Sequence, residues 1–308
     1  MEARYPSCIL GTCCLPWKAD FTLDEAMFRK AVSFLARQTP HLYVMGTAGE
    51  GYGVSGKQFL QVIRVFCDEM GKAGGVPMAG IISLSLPEIV ERIEACRSLG
   101  IREFQVSLPS WGPCSEAEAY AFFDAVCGRF PDCHFLNYNL LRTKRFLAPR
   151  EYGRIAADHP NFVGAKVATD SVSQILAFLE EAPAVRYFLT EGGFGYGSIA
   201  GSCGLLISAA SCNWERARAF YRAGRDRDLP GLMRMQAEVL SLVRGLISLV
   251  GSSAHMDGAY DKMFLKLVFP DFPLRLLPPY AGVTDEVFSA FRKMMETSYP
   301  LWLPDRDA

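Results

Sequence analysis

The chain has 308 residues, of which 50% are hydrophobic and 21% are charged. Its 32 Lys and Arg residues balance 33 Asp and Glu residues, so the formal net charge is −1 at pH 7. This composition excludes a disordered chain and offers no broad basic surface, so we expect neither nucleic acid nor an anionic membrane as a partner. No apolar stretch reaches the roughly 18 residues that a transmembrane helix needs, and no membrane span is predicted.

Short apolar segments alternate with longer amphipathic segments from residue 8 to residue 224. The short segments are apolar or β-branched and are predicted to be strands, at 8–15, 42–46, 76–82, 103–108, 133–138, 162–167, 185–190 and 203–207. The longer segments carry apolar residues at helical spacing. Helix N-caps are predicted at Thr22, Ser55 and Ser115.

Eight βα units with short linkers predict an α/β fold, namely a parallel (β/α)8 TIM barrel over residues 1–224. A doubly wound sheet is the alternative, because periodicity alone cannot show that a sheet closes, but the count of eight units favours the barrel. After residue 224 the strand pattern stops. Residues 225–308 are therefore expected to form a C-terminal helical extension packed on the barrel, with helices at 228–251, 257–268 and 284–297.

The ten cysteines form no CxxC pair and are mostly single residues within apolar segments. In a chain of this length the pattern is typical of buried thiols in a reducing compartment, so a cytoplasmic location is expected. The four histidines lack metal-ligand spacing, and no metal site is predicted from His41, His134, His159 and His255.

The active site of a (β/α)8 barrel lies at the carboxyl ends of the strands, and Lys166 is the most informative residue there. It occurs near the end of the sixth predicted strand, in a segment, 162–168, that is otherwise apolar or glycine. A lysine in the barrel interior is desolvated, which lowers the pKa of its amine and allows it to attack a ketone and form a Schiff base. A lysine on the solvated end of a strand, or one buried in an ion pair, is the alternative.

Two further groups follow predicted strands. Tyr138 ends the fifth strand, and its phenol can relay protons, although a rim tyrosine that packs and forms hydrogen bonds is the more frequent case. Thr47 and the backbone amides of Ala48 and Gly49 follow the second strand and can form a nest for a carboxylate. A tight turn that simply needs glycine explains the same residues.

Two glycine-rich segments are similar to nucleotide-binding loops but lack essential residues. The 51–58 segment nearly matches GxxxxGK[ST], but Gln58 replaces the hydroxyl residue that would bind magnesium. The 193–197 segment lacks the GxGxxG spacing of a dinucleotide fingerprint. Neither segment predicts a nucleotide cofactor.

Four motifs occur in the order and spacing of the dihydrodipicolinate synthase / N-acetylneuraminate lyase family: GTAGE at 46–50, YN at 138–139, GAKVAT at 164–169 and AGSCGLLIS at 200–208. The chain resembles this family of class I pyruvate-dependent aldolases over essentially its whole length. The resemblance implies a covalent imine on a lysine with neither a metal nor an organic cofactor. It also implies a homo-oligomer, a tetramer built as a dimer of dimers.

The resemblance implies roles for individual residues. Lys166 matches the lysine that forms an imine with pyruvate or another 2-oxo acid, and Tyr138 matches the tyrosine that shuttles protons. Thr47 matches the hydroxyl that links this tyrosine to the proton relay and helps to hold the substrate carboxylate. Leu206 matches the position on the eighth strand whose backbone carbonyl faces the site.

Three residues depart from the family pattern. Ala48 stands where the family usually has a second hydroxyl residue, so one carboxylate donor is missing. Trp111 lies in the fourth-strand loop, where the synthases place a relay tyrosine, and an indole N–H cannot relay protons. Arg142 is the candidate for holding the aldehyde's carboxylate, but it follows Tyr138 by four residues instead of five.

Two residues favour a sugar-acid-like substrate. Glu191 falls where lyases of sugar acids place an acidic residue that binds substrate hydroxyls, and Ser208 falls where they place a serine for the same purpose. A helix-cap role explains Glu191 equally well.

From these matches together we expect a Schiff-base lyase that cleaves or forms a carbon–carbon bond in a 2-oxo acid, with pyruvate as one half. The alternatives are a dihydrodipicolinate synthase that uses pyruvate and aspartate semialdehyde, a sugar-acid dehydratase, and a non-catalytic metabolite-binding member.

Overall fold

The computed structural model describes residues 3–254 and 256–304. The chain folds into two compact units, each made from two stretches of sequence. One unit contains Met1–Leu10 and Pro77–Leu206, and the other contains Gly11–Val76 and Ile207–Ala308. The division at residue 224 into barrel and extension stays a prediction.

Eight strands alternate with helices, and their order in the sheet is their order along the chain. A doubly wound sheet changes its strand order at a switch point, so the sequential order excludes that alternative and confirms the predicted (β/α)8 fold. The strands are β1 (Gly11–Thr12), β2 (His41–Val44), β3 (Val76–Ile81), β4 (Glu103–Val106), β5 (His134–Asn139), β6 (Phe162–Val167), β7 (Arg186–Leu189) and β8 (Gly204–Leu205).

The predicted first strand, 8–15, is divided between two partners. Ile9 forms a parallel bridge with Leu205 of β8, and the Leu10 N–H donates to the Leu205 carbonyl at 2.9 Å. From Gly11 onwards the backbone pairs with β2 instead, so β1 itself has only two residues. The pairing of residues before β1 with β8 is the closing contact that a barrel requires.

Strand β6 illustrates the core around the candidate lysine. All six of its residues are buried, and all except Lys166 are apolar or glycine, as expected for a parallel strand covered on both faces. Gly164 is needed here, because a Cβ would lie 2.8 Å from Leu136 Cγ and 3.1 Å from the Arg186 carbonyl oxygen. The strand therefore packs closely against both of its neighbours.

The helices within the described residues follow the predicted pattern. They are α1 (Glu25–Ala36), α2 (Gly56–Ala73), α3 (Leu86–Ser98), α4 (Glu116–Phe123, which continues as a π-helical turn, Asp124–Gly128), α5 (Pro149–Asp158), α6 (Val172–Glu181), α7 (Phe194–Ala200), α8 (Trp214–Arg225), α9 (Leu229–Val250), α10 (Asp257–Val268) and α11 (Asp285–Ser298). The last three confirm the helices predicted after residue 224, each within one residue of its predicted bounds.

Two of the three predicted N-caps are confirmed. Ser55 and Ser115 begin α2 and α4 with capping boxes, in which the third helical residue bonds back to the cap. The prediction of Thr22 is wrong, because Asp24 directly precedes α1 and accepts from the Met27 N–H. The Thr22 hydroxyl donates instead to Asp20 at 2.6 Å.

All ten cysteines lie in the described residues as thiols; seven are buried and three are half-buried. Burial raises the pKa of the Cys13 and Cys14 thiols well above the ordinary value, so neither is activated as a thiolate nucleophile. Across residues 3–254 and 256–304, no helix is long and apolar enough to cross a membrane.

Candidate active site

Lys166 and Tyr138 are neighbours on adjacent strands. Their Cα atoms are paired in the parallel register of β5 and β6, so both side chains leave the same face of the sheet. The Lys166 Nζ donates to the Tyr138 Oη at 3.0 Å and lies 4.3 Å from the centroid of the phenol ring. Lys166 is 8% exposed and Tyr138 is 4% exposed, so the amine and the phenol share a buried environment.

This geometry excludes one of the simpler interpretations of Lys166. Lys166 is not on a solvated strand end, because it is buried and pairs on its other side with Phe188 of β7. The Tyr138 hydroxyl accepts a hydrogen bond from the lysine, and both a proton-carrying tyrosine and one that only packs and forms hydrogen bonds fit this contact. An amine and a phenol in direct contact can exchange a proton and can act on one carbonyl group.

Asn139, the last residue of β5, holds the loop that follows the strand. Its side-chain amide donates to the Leu147 carbonyl at 3.0 Å and accepts from the Leu147 N–H at 2.9 Å. The Thr143 hydroxyl oxygen lies 2.8 Å from the Leu140 carbonyl oxygen, inside the same loop. The sequence marked Asn139 only as part of a motif, and this clamp could not be predicted because its partner is defined by the folded loop.

The clamped loop carries Arg142, in a short 3-10 turn, Leu141–Thr143. The guanidinium side chain is exposed. The next residue but one, Lys144, donates from Nζ to the Trp111 carbonyl oxygen at 2.8 Å. This bond joins the loop after β5 to the loop after β4, whereas the Trp111 side chain itself is 84% exposed.

The candidate residues of the seventh and eighth strands lie where β7 and β8 end. Glu191 is half-buried in the turn after β7. Helix α7 begins at Phe194 with Gly193 as its N-cap, so Glu191 is not the cap residue of that helix. Leu206 directly follows β8, is buried, and donates its N–H to the Leu189 carbonyl at 3.0 Å.

Thr47, Ala48 and Gly49 belong to the other compact unit, in the turn after β2, and all three are buried. The Glu50 N–H donates to the Thr47 carbonyl at 3.1 Å and closes this turn. A Cβ at Gly49 would lie 2.7 Å from the Met45 nitrogen, so the tight turn needs glycine whether or not it binds a ligand. Ser208, also in this unit, is half-buried and begins a short 3-10 turn.

Potential metal ligands form no cluster in the part of the chain that the structure describes. There, no group of three or more His, Cys, Asp or Glu side chains is placed to hold a metal ion. The described histidines include two that contact carboxylates, His134 with Glu103 and His159 with Asp124, both at 2.8 Å. His255 lies outside the described residues, and chemistry without a cofactor stays a prediction.

Comparisons with known proteins agree on one family. The family model described as "Dihydrodipicolinate synthetase family" matches residues 6–266. Among curated proteins, the chain is similar to the 4-hydroxy-tetrahydrodipicolinate synthase of Nitratidesulfovibrio vulgaris. The two are 27% identical over 229 residues, which cover 73% of this chain and 77% of the relative.

Solved structures share the whole fold. YagE, a prophage protein of the dihydrodipicolinic acid synthase family from E. coli K12 in complex with pyruvate, has a TM-score of 0.85 and 17% identity, covering 96% of this chain and 98% of its own. A catalytic lysine mutant of the Ruminococcus gnavus sialic acid aldolase has a TM-score of 0.83 and 14% identity, covering 98% and 100%. At these identities the likeness establishes the fold alone.

Proposed function

The chain belongs to the dihydrodipicolinate synthetase family, and from this premise we propose that it is a class I, Schiff-base-forming lyase of a 2-oxo acid with pyruvate as one half. The observation that supports the proposal most strongly is the buried contact between Lys166 Nζ and Tyr138 Oη, 3.0 Å long. Imine chemistry needs a nucleophilic amine and a group that carries protons beside it. The pyruvate complex of YagE supports pyruvate as the ligand.

The proposed reaction begins when the uncharged Lys166 amine attacks the C2 carbonyl carbon. The carbonyl oxygen takes up a proton to give a carbinolamine, and loss of water gives a protonated imine. In the cleavage direction the C3–C4 bond breaks, its electron pair moves into the imine as an enamine, and the C4 hydroxyl loses a proton as an aldehyde forms. Protonation at C3 and hydrolysis release pyruvate, with Tyr138 carrying the protons and no metal or organic cofactor taking part.

We assign the binding roles that the motif matches imply. Thr47 and the amides of Ala48 and Gly49 hold the carboxylate of the 2-oxo acid, and Thr47 also supports proton transfer. The Leu206 carbonyl accepts from the substrate. Arg142 binds the aldehyde half of the substrate.

A sugar-acid-like substrate is the proposal for the second half. Glu191 and Ser208 supply a carboxylate and a hydroxyl that suit substrate hydroxyl groups, and Glu191 is not the N-cap of the helix that follows it. The fold shared with the sialic acid aldolase is compatible with this class. Dihydrodipicolinate synthase is the second candidate, favoured by the name of the curated relative. Against it, Ala48 removes a hydroxyl that would bind the substrate carboxylate, and Trp111 stands where the synthases place a relay tyrosine.

Borohydride trapping with pyruvate tests the proposal. Borohydride reduces an imine to a stable amine, so intact mass and peptide mapping are expected to show a pyruvate-sized adduct on Lys166. Lys166→Ala should abolish the adduct, and Lys293→Ala, which removes an exposed lysine on α11, should leave it unchanged. A wild-type protein that remains unmodified by pyruvate and by a panel of 2-oxo sugar acids would overturn the proposal.

Turnover separates the remaining alternatives. Release of pyruvate from 2-oxo-3-deoxy sugar acids or N-acetylneuraminate identifies the lyase, and loss of water without pyruvate release identifies the dehydratase. Condensation of pyruvate with aspartate semialdehyde identifies the synthase. Ligand binding with turnover of none of these substrates identifies the non-catalytic member.

A further inference from the structure

Glu50, whose N–H closes the turn that contains Thr47, forms a buried ion pair with Lys262. The Lys262 Nζ of helix α10 donates to the Glu50 Oε1 at 2.5 Å, and both side chains are 0% exposed. Burying two charges is costly unless they are paired and their remaining hydrogen-bonding positions are filled. The hydrogen bonds around the pair therefore determine whether the cost of burying the two charges is offset.

Several of those positions are filled by groups from separate segments of the same compact unit. Glu50 Oε1 also accepts from Trp17 Nε1 at 2.9 Å, and Glu50 Oε2 accepts from the Leu277 N–H at 2.7 Å. Lys262 Nζ donates a second bond to the Arg275 carbonyl at 2.5 Å. Burial lowers the pKa of the Lys262 amine, and the Glu50 carboxylate opposes that shift.

Glu50 holds an unusual backbone conformation at the end of the turn. Its φ is 51°, and Met45, just before the turn, has a φ of 67°. Side chains other than glycine rarely adopt this left-handed region, and they remain there only when the surrounding structure holds them. The hydrogen bonds from Trp17, Leu277 and Lys262 to the Glu50 carboxylate provide that restraint.

Helix α10 also contacts the turn through its backbone. A Cβ added at Gly258, in the first turn of α10, would lie 3.1 Å from the Ala48 carbonyl oxygen and 3.6 Å from Glu50 Cγ. The absence of a side chain at Gly258 thus allows close approach of the helix to the turn. Because Ala48 supplies no hydroxyl, an anion bound at this turn depends on Thr47 and on the direction of the backbone amides, and the turn conformation sets both.

We propose that Glu50 and Lys262 are positioning residues, which hold the 47–49 turn in the conformation that binds the carboxylate of the 2-oxo acid. Helix α10 thereby sets the affinity for that carboxylate. This inference rests on the proposed function, since it presupposes a 2-oxo acid bound at Lys166. In this inference Glu50 and Lys262 touch neither the substrate nor the reacting atoms, and they act through the 47–49 turn.

The test measures the pyruvate concentration that gives half-maximal borohydride trapping on Lys166, in the full chain. Lys262→Met is expected to raise this concentration by about tenfold or more, because the turn loses its restraint, while trapping at saturating pyruvate stays close to that of wild type. Glu50→Gln, which is nearly isosteric, is a second variant should Lys262→Met fold poorly. Lys262→Arg keeps the charge and is expected to recover part of the affinity.

Arg186→Met is the matched control. It removes another buried cation that bonds to backbone carbonyls, those of Tyr5 and Ser202, at the amino end of β7. It should lower thermal stability without changing half-maximal trapping. The positioning role alone is overturned if pyruvate is trapped on wild type but the half-saturating pyruvate concentration is the same in the Glu50 and Lys262 variants. It is also overturned if Arg186→Met raises that concentration as much as they do. Absence of trapping in wild type overturns the proposed function and this inference together.

Discussion

At the scale of single residues, two buried tyrosines separate a chemical role from a structural one. Tyr138 and Tyr152 lie in the same compact unit, and both are buried. The Tyr138 hydroxyl lies 3.0 Å from Lys166 Nζ, whereas the Tyr152 hydroxyl donates to Asn137 Oδ1 at 2.6 Å. Only the first hydroxyl has a nucleophile as its partner, so only the first is expected to matter for proton transfer.

We expect Tyr138→Phe to slow pyruvate release at saturating substrate by about 10²–10⁴-fold, the range typical of a lost proton carrier. Tyr152→Phe should keep the rate but lower the free energy of unfolding by about 1–2 kcal/mol, because Asn137 loses a buried donor. Steady-state kinetics and urea unfolding of both variants measure the difference. Equal kcat values in the two variants would contradict a proton-carrying role for Tyr138.

Residues whose chemistry is unusual for their local segment could be singled out from the sequence. Lys166 interrupts an apolar strand, and Tyr138 is the last residue of the predicted fifth strand, so their types and positions suffice to mark them. Lys262 could not be found in this way. It occurs in an amphipathic helix, where a lysine is ordinary, and its partner Glu50 is 212 positions away in the chain.

At the scale of elements, the loop after β5 depends on one side chain. Asn139 makes two hydrogen bonds to the backbone of Leu147 and so holds the ends of the loop that carries Arg142. Asn161 offers a comparable pair of bonds elsewhere. Its Nδ2 donates to the carbonyls of Cys127 and Phe130, both at 3.0 Å, just before β6.

Asn139→Ala and Asn161→Ala are each expected to lower the free energy of unfolding by about 1–3 kcal/mol, since each leaves buried backbone groups without a partner. Only Asn139→Ala should also raise KM for the cleaved substrate, because it releases the loop with Arg142. Chemical unfolding and steady-state kinetics measure both effects. If KM rises equally in both variants, or in neither, the clamp does not position the substrate.

Patterns within a few residues of sequence predicted where helices and strands occur better than they predicted which strands pair. Ser55 and Ser115 could be identified as caps because a capping box is contained within four residues. The length of β1 could not be predicted, since residues on either side of Leu10 pair with different strands, a fact of the closed sheet. Thr22 failed as a cap because Asp24, which is nearer to the helix, takes that role.

At the scale of the whole molecule, the fold was the most predictable property. Eight repeats of strand and helix are counted along the chain, and each repeat is a local pattern. Contacts between segments that are distant in the sequence could not be predicted in this way, because burial and hydrogen bonding define them only in the folded chain. Assembly as a homo-oligomer and the cytoplasmic location stay predictions.

The central claim is a covalent bond between Lys166 and the 2-oxo acid, and the crystal structure of the protein with saturating pyruvate tests it most directly. We predict continuous electron density from Lys166 Nζ to C2 of pyruvate, with the Tyr138 hydroxyl within hydrogen-bond distance of the adduct. Crystals of Lys166→Ala grown in the same way should lack the adduct. Pyruvate bound beside an unmodified Lys166, or bound only elsewhere, would contradict the account.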